Sequence, residues 1–276
     1  MVLVQIKMKK YIYYHIYLTD ETGCWYNLFL DQLYDVIDSG LYDNIEKMYV
    51  VCIGRRSEIE LFAGICNCYH KIEILNKLYL DEDKVEDLSL AYTSTVDYEK
   101  NNLHDETSTM CHLQEHAKRE DAQFLYFHSK GVTAAWRMKV ERHSQAFINY
   151  YLWRKFLAWG CIENWRICTE KLENHSCAGV NFGSWPVPHY SGTFWWTKSE
   201  YVRKLPNIKE NDWWTNLMKT TPLNTYDSNR GKPEMWIGTR FDNDFYNIIS
   251  SSIMPPQGTP IQNHWPRSKY EGAVNK

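Results

Sequence analysis

The sequence predicts an α/β protein with a Rossmann-like, mostly parallel central sheet and helices on both faces. Three segments rich in β-branched and aromatic residues read as buried strands: "KYIYYHIYL" (10–18), "KMYVVCIG" (47–54) and "QFLYFH" (123–128). Segments with apolar residues at helical spacing separate them, over 24–39, 57–69 and 105–119. Strands that alternate with helices over short connections are typical of a parallel sheet covered on both sides.

The boundaries of these elements follow from turn residues. The polar run 19–23 ends the first strand, and Gly40 is a natural stop for the first helix. Residues 71–79 are predicted as a third strand or an extended segment, while the acidic and polar run 80–103 predicts no clear element.

The second half of the chain has a different pattern. Two helices are predicted over about 134–159 and 162–174, followed by two strand-like segments, "CAGVNFG" and "GTFWWTKSEYV". The prolines of "SWPVPHYS" exclude regular structure between them. With no internal repeat or linker, we expect one domain over 1–276, with a nucleotide-binding half at about 1–132 and a sugar or acceptor half at about 133–276.

Composition restricts the class of protein. The formal net charge is −3 with both signs interspersed, which favours neither nucleic acid nor an anionic membrane as a general partner. No apolar run approaches the roughly 20 residues of a membrane span, and the N-terminus lacks a signal-peptide pattern. The 8 cysteines contain no CxxC pair, which predicts free buried thiols in a reducing compartment, and we expect a cytoplasmic protein.

Aromatic residues are unusually frequent, with 12 Trp, 20 Tyr and 10 Phe. Flat rings pack against the C–H faces of sugars, and they also fill ordinary cores, so both interpretations stay open. Trp195 and Trp196 alternate across a predicted strand, so at most one of them faces a ligand pocket.

The segment "HLQEH" matches the HxxEH pattern of helical zinc sites, in which His112 and His116 lie one turn apart and Glu115 acts as a base. The same spacing also arises on a solvated helix face, and no third ligand is evident. A zinc hydrolase is therefore an alternative function.

The end of the third buried strand is a second candidate site. "QFLYFH" stops at His128, Ser129, Lys130 and Gly131, and ligands of open α/β sheets collect at the carboxyl ends of strands. A plain turn is the alternative.

Three segments carry a resemblance to a known family: "YFHSKG" (126–131), "HYSGTFWW" (189–196) and "PEMWIG" (233–238). Together they resemble the small GT-A-type glycosyltransferases of large DNA viruses, notably chloroviruses, and of some bacteria. The likeness covers roughly residues 120–245. It implies a GT-A-like fold and transfer of a sugar from a nucleotide diphosphate, such as UDP-xylose, to a glycan hydroxyl in viral glycan synthesis.

The resemblance has one departure. GT-A enzymes usually end the central strand with Asp-x-Asp, which holds a divalent cation against the diphosphate, whereas this chain has His128-Ser129-Lys130. The charge of the leaving diphosphate still requires stabilisation. We expect Lys130, Ser129 and the backbone at Gly131 to supply it without a strictly required metal, although His128 could still ligate Mn²⁺ or Mg²⁺.

The remaining candidate residues come from the family pattern, from the ends of the first strands and from the basic C-terminal segment. Glu234 is the expected base of an inverting transfer, with Asp227 and Asp212 as weaker candidates, although a glutamate at a helix start also simply complements the helix dipole. Thr19, Asp20 and Arg55 follow the first strands, at the edge where open sheets bind nucleotides. The C-terminal His264 and Arg267 are expected to close over the diphosphate, with a disordered basic tail as the alternative. The expected sugar contacts are His189, Tyr190, Ser191 and Gly192. A non-catalytic carbohydrate-binding module that uses the aromatic surface is a further alternative.

Overall fold

A computed structural model describes residues 8–18, 24–79, 106–129, 145–185, 187–220, 231–240, 244–249 and 267–274. Within these residues, seven strands form one sheet in the order β3-β2-β1-β4-β8-β5-β9, and two short strands form a hairpin, β6-β7. The strands of the large sheet are β1 Lys9–Leu18, β2 Lys47–Gly54, β3 Ile72–Tyr79, β4 Ala122–His128, β5 Cys177–Gly179, β8 Trp195–Lys198 and β9 Phe245–Asn247. The hairpin consists of β6 Phe182–Gly183 and β7 His189–Tyr190.

The first half forms the predicted parallel layer. β1 lies between β2 and β4 and is parallel to both, and β3 is parallel to β2. The helices of this half are α1 Cys24–Asp38, α2 Leu41–Asn44, α3 Arg56–Cys66 and α4 Glu106–Arg119. The extended segment predicted at 71–79 is thus a strand, and α1 ends just before Gly40, whose φ of 73° lies in the left-handed region.

The second half adds an antiparallel strand. β8 is antiparallel to both β4 and β5, and β5 is parallel to β9. The helical elements here are α5 Gln145–Ala158, a π-helical turn Trp159–Glu163, α6 Trp165–Lys171, α7 Ser199–Val202, α8 Asp212–Thr220, α9 Lys232–Trp236 and a 3₁₀ turn Arg267–Lys269. The prediction that this strand continues through "SEYV" is wrong, because those residues form α7.

Side chains of the strands alternate between two cores, one on each face of the sheet. On β1, Ile12, Tyr14 and Ile16 pack into the core that includes residues of α1, α3 and α5. Tyr11 and Tyr13 enter the opposite core with residues of α4, α7 and α9. Helices therefore cover both faces, as the sequence predicts.

The connections between the strands define a topological switch point in this sheet. The connections β1 to β2 and β2 to β3 contain α1 and α3, which pack on the first face, whereas α4 precedes β4 on the second face. The strand order therefore reverses at β1, between the carboxyl ends of β1 and β4. Such switch points are where open α/β sheets hold their ligands.

The described cysteines match the predicted free thiols: Cys52, Cys66, Cys111, Cys161, Cys168 and Cys177 are free and buried, and Cys68 is free and exposed. Among the helices that the structure describes, none is long and apolar enough to cross a membrane.

Candidate functional site at the carboxyl edge

Three segments of the chain meet at Gly192. Its backbone N–H donates a hydrogen bond of 2.7 Å to Oε1 of Glu234. Its carbonyl oxygen lies 3.0 Å from Nε2 of His128 and accepts a hydrogen bond from it. His128 ends β4, Gly192 precedes β8 and Glu234 lies in α9, so the three segments that carry the family resemblance come together at the carboxyl edge of the sheet.

Glycine is required at this junction. Gly192 has a φ of 94°, and a Cβ atom there would lie 2.6 Å from Cδ1 of Leu157 and 3.1 Å from Cζ2 of Trp153. The next residue, Thr193, has a φ of 59°, which is rare for a β-branched residue. Backbone strain of this kind concentrates at functional sites. Trp153, whose ring packs against Gly192, was not singled out by sequence analysis.

The imidazole of His128 is held from both sides. Its Nδ1 lies 3.4 Å from Oε1 of Glu106, and the hydroxyl of Tyr126 donates a 3.1 Å hydrogen bond to Oε2 of the same carboxylate. Both ring nitrogens of His128 thus face acceptors, an arrangement that only the protonated ring satisfies fully. Sequence analysis missed Glu106, whose signal was an acidic residue in the first turn of a predicted helix.

Backbone and side-chain hydrogen bonds fix the end of β4. Gln32 donates from Nε2 to the carbonyl oxygen of His128 at 3.0 Å, and Tyr14 donates its hydroxyl to Oε1 of Gln32 at 2.8 Å. The Ser129 hydroxyl accepts a 3.2 Å hydrogen bond from the backbone N–H of Tyr17, so its own proton stays available as a donor. Ser129 therefore joins the carboxyl ends of β1 and β4.

A neutral histidine lies behind this site. His15 is buried, and its Nδ1 lies 2.8 Å from the hydroxyl oxygen of Thr109. Burial, with a smaller contribution from the nearby His128, lowers the pKa of His15 to about 3. His15 therefore stays uncharged at neutral pH.

Glu234 is half-buried near the start of α9, a helix whose first turn contains Pro233. One carboxylate oxygen accepts the Gly192 N–H, and the other accepts no hydrogen bond from any residue that the structure describes. A carboxylate fixed through one oxygen with the other oxygen unpaired can accept the proton of a bound hydroxyl.

Ser191 is oriented by His189. The Nδ1 of His189 donates to the carbonyl oxygen of Val187 at 2.8 Å, so in the neutral ring Nε2 accepts the hydroxyl proton of Ser191 at 3.0 Å. Asn181 fixes the Ser191 backbone through two further hydrogen bonds. His189 is itself buried, so its role in this structure is to orient Ser191.

Three predicted sugar contacts belong to the core. Tyr190, Trp195 and Trp196 are fully buried. Tyr190 donates its hydroxyl to the carbonyl of Tyr246, and Trp196 donates Nε1 to the carbonyl of Cys161. The two tryptophans do pack on opposite faces of the sheet, but neither offers ring surface to a ligand, which corrects that expectation.

The two predicted arginines have different surroundings. The backbone N–H of Arg55 donates to the carbonyl of Leu18, which places the start of α3 beside the end of β1 at the same edge. Arg267 instead forms ion pairs with Glu163 and Glu271, one of them a 3.0 Å bond from Nη1 to Glu163. These bonds attach the 3₁₀ turn to the π-helical turn, so Arg267 is occupied there.

The remaining candidates are Asp212 and six residues outside the described ranges. Asp212 starts α8 and is exposed. The candidates that fall outside the described residues are Thr19, Asp20, Lys130, Gly131, Asp227 and His264.

The HxxEH segment does not form a metal cluster in the part of the chain that the structure describes. Nδ1 of His116 lies 2.8 Å from the Tyr13 hydroxyl, and its Nε2 lies 2.9 Å from Oε2 of Glu120. Glu115 is exposed and forms an ion pair with Lys118. His112 and His116 line an open groove of about 530 Å³, away from the Gly192 junction.

Fold and site together define an α/β protein whose mostly parallel sheet collects polar groups at its topological switch point. The family model described as "Domain of unknown function (DUF8361)" matches residues 13–246, which is most of the chain. The chain therefore belongs to this family. Comparison with the curated proteins and with the solved structures found no match.

Proposed function

We propose that the protein is a GT-A-like glycosyltransferase, which moves a sugar from a nucleotide diphosphate to a hydroxyl of a glycan. One observation carries the proposal: His128, Gly192 and Glu234 are joined by two hydrogen bonds at the carboxyl edge of the sheet. These residues come from the three segments that resemble the glycosyltransferases. They are distant in sequence, so their meeting is not a consequence of local structure.

Glu234 acts as the base of an inverting transfer in this proposal. As the acceptor hydroxyl attacks the anomeric carbon, its proton passes to the carboxylate, and the bond between the anomeric carbon and the diphosphate oxygen breaks. The Gly192 N–H holds one oxygen of the carboxylate at 2.7 Å, which fixes the direction of the other. Such positioning contributes more to rate than proton affinity alone.

The diphosphate of the donor lies at the switch point between β1 and β4. Ser129 supplies a hydroxyl proton there, and Lys130, the next residue in the sequence, supplies a positive charge. Arg55, at the start of α3, lies on the nucleotide side of the same edge. A UDP-sugar such as UDP-xylose is the proposed donor, on the family resemblance, and the cytoplasm is the proposed location.

The described residues at this edge do not fit a cation held by paired acids. Glu106 is the carboxylate beside the end of β4, and its two oxygens face His128 and Tyr126. His128 in turn bonds Gly192 and faces Glu106, so neither ring nitrogen is directed to a metal. Neutralisation of the leaving group is therefore assigned to Lys130 and to backbone N–H groups.

A panel of nucleotide sugars tests the proposal. Incubation of the protein with each donor, with and without a chelator, should show slow hydrolysis of one donor that the chelator does not abolish. The Glu234→Gln protein should bind the same nucleotide but fail to transfer the sugar. If no donor is hydrolysed and no nucleotide diphosphate binds, the proposal is wrong.

A further inference from the structure

Trp185 is the one largely exposed tryptophan among those that the structure describes, with 56 % of its surface accessible. The other described tryptophans are buried or half-buried. Water contact of a large indole costs free energy, because apolar surface is more stable when it is covered. The exposed indole is therefore available to cover its apolar face with a ligand.

The segment that carries Trp185 is held at both ends. It connects the two strands of the β6-β7 hairpin, in which Gly183 pairs with His189. Val187 is buried in a cluster with Trp214 and Met235. A Cβ atom on Gly238 would overlap the carbonyl oxygen of Pro188, so the chain after Trp185 packs tightly against the end of α9.

These contacts connect Trp185 to the candidate site. Met235, which packs with Val187, directly follows Glu234 in α9. The carbonyl of Val187 accepts the hydrogen bond that orients His189, and His189 orients Ser191. Trp185 is thus an exposed ring on the short hairpin that also supports the proposed catalytic carboxylate.

We propose that Trp185 stacks against a sugar ring of the acceptor glycan. The indole offers a flat apolar face, and hexose rings present apolar C–H faces of matching size. A single ring is too small for a protein partner, since stable interfaces bury about 800 Å² on each side. Because Gly183, Val187 and Pro188 already hold the chain on either side of the ring, little conformational entropy is lost when the ring is covered.

A sugar fits this position better than the nucleobase of the donor. The donor belongs at the switch point between β1 and β4, whereas the hairpin follows β5, on the far side of the antiparallel strand β8. The identification of the bound sugar as the acceptor rests on the proposed transfer reaction, but the contact between the sugar and Trp185 does not.

A glycan array tests this contact, with the wild-type protein, Trp185→Ala, Trp185→Phe and the control Tyr34→Ala. Tyr34 is a matched control because it is a similarly exposed aromatic residue, with 52 % of its surface accessible, on α1. We expect Trp185→Ala to weaken binding of the recognised glycans by about tenfold or more. Trp185→Phe should retain part of the binding, and Tyr34→Ala should retain all of it.

The outcomes separate this inference from the proposed function. Unchanged glycan binding by Trp185→Ala, or no glycan binding by the wild-type protein, would overturn the inference. A parallel measurement with UDP should show equal affinity for the wild-type and Trp185→Ala proteins, and a matching loss of nucleotide affinity would assign the ring to the donor instead. Trp185-dependent glycan binding without any nucleotide affinity would refute the transferase proposal and leave the sugar contact intact.

Discussion

Replacement of Glu234 by glutamine separates the structural and chemical roles of this residue. The carboxylate accepts the Gly192 N–H at 2.7 Å through Oε1. The amide oxygen of glutamine has the same position and can accept the same hydrogen bond, but an amide cannot take a proton from a hydroxyl at neutral pH. Glu234→Gln should therefore fold normally and lose sugar transfer.

The expected magnitudes follow from the hydrogen bond. Exchange of a charged for a neutral acceptor should cost about 1 kcal/mol of unfolding free energy. Glu234→Ala leaves the buried Gly192 N–H without a partner, which should cost about 2 kcal/mol and lower the melting temperature by about 4–8 °C. Loss of a general base typically reduces the rate by about 10² to 10⁴.

The assay combines thermal unfolding with the rate of sugar transfer for the wild-type, Glu234→Gln and Glu234→Ala proteins. We expect both variants to be slow in transfer, with Glu234→Ala less stable than Glu234→Gln. Wild-type transfer by Glu234→Gln would refute the assignment of the base. Equal destabilisation of the two variants would instead show that glutamine does not keep the bond to Gly192.

Three further changes test the surroundings of the site. In urea unfolding, Gly192→Ala should lower the unfolding free energy by about 2 kcal/mol or more, because of the positive φ at Gly192 and the contact of the added Cβ with Leu157. The control Gly64→Ala in α3, where the added Cβ meets open space, should instead stabilise the protein by about 0.5–1 kcal/mol. The pKa of His15 is about 3 in the folded state and about 6.5 in the unfolded state. Its contribution to the unfolding free energy is therefore complete above pH 6.5 and falls by about 2 kcal/mol by pH 5. His15→Gln should remove this part of the pH dependence of unfolding, and an unchanged dependence would contradict the buried neutral ring. Glu115→Gln should leave turnover unchanged, since Glu115 is exposed and paired with Lys118. Stoichiometric zinc in the wild-type protein together with loss of activity in Glu115→Gln would support the hydrolase alternative.

The parallel half of the fold could be predicted from sequence because β1, β2 and β4 are largely buried on both faces. "KYIYYHIYL" and "QFLYFH" are continuous apolar runs, and they coincide closely with β1 and β4. The second half was harder to predict, since β5 and β9 have only three residues each and β8 has four. In "WWTKSEYV", β-branched and aromatic residues favoured a continued strand, but the chain turns into α7 at Ser199.

The candidate site, like the fold, could be predicted from sequence only in part. Motif residues such as His128, Gly192 and Glu234 were predicted separately, and the structure brings them together. Glu106 was missed because its contact with His128 joins residues 22 positions apart in sequence, across the start of a helix. Pattern alone also could not show that both members of the Trp195-Trp196 pair are buried, because alternation gives the face of the sheet but not whether a helix covers it.

A structure of the protein with a bound nucleoside diphosphate tests the central claim most directly. We predict that the diphosphate lies at the carboxyl edge between β1 and β4, in contact with Ser129 and Lys130, with Glu234 on the sugar side. A nucleotide bound in the groove beside His112 and His116, or one whose diphosphate is distant from the end of β4, would contradict the claim.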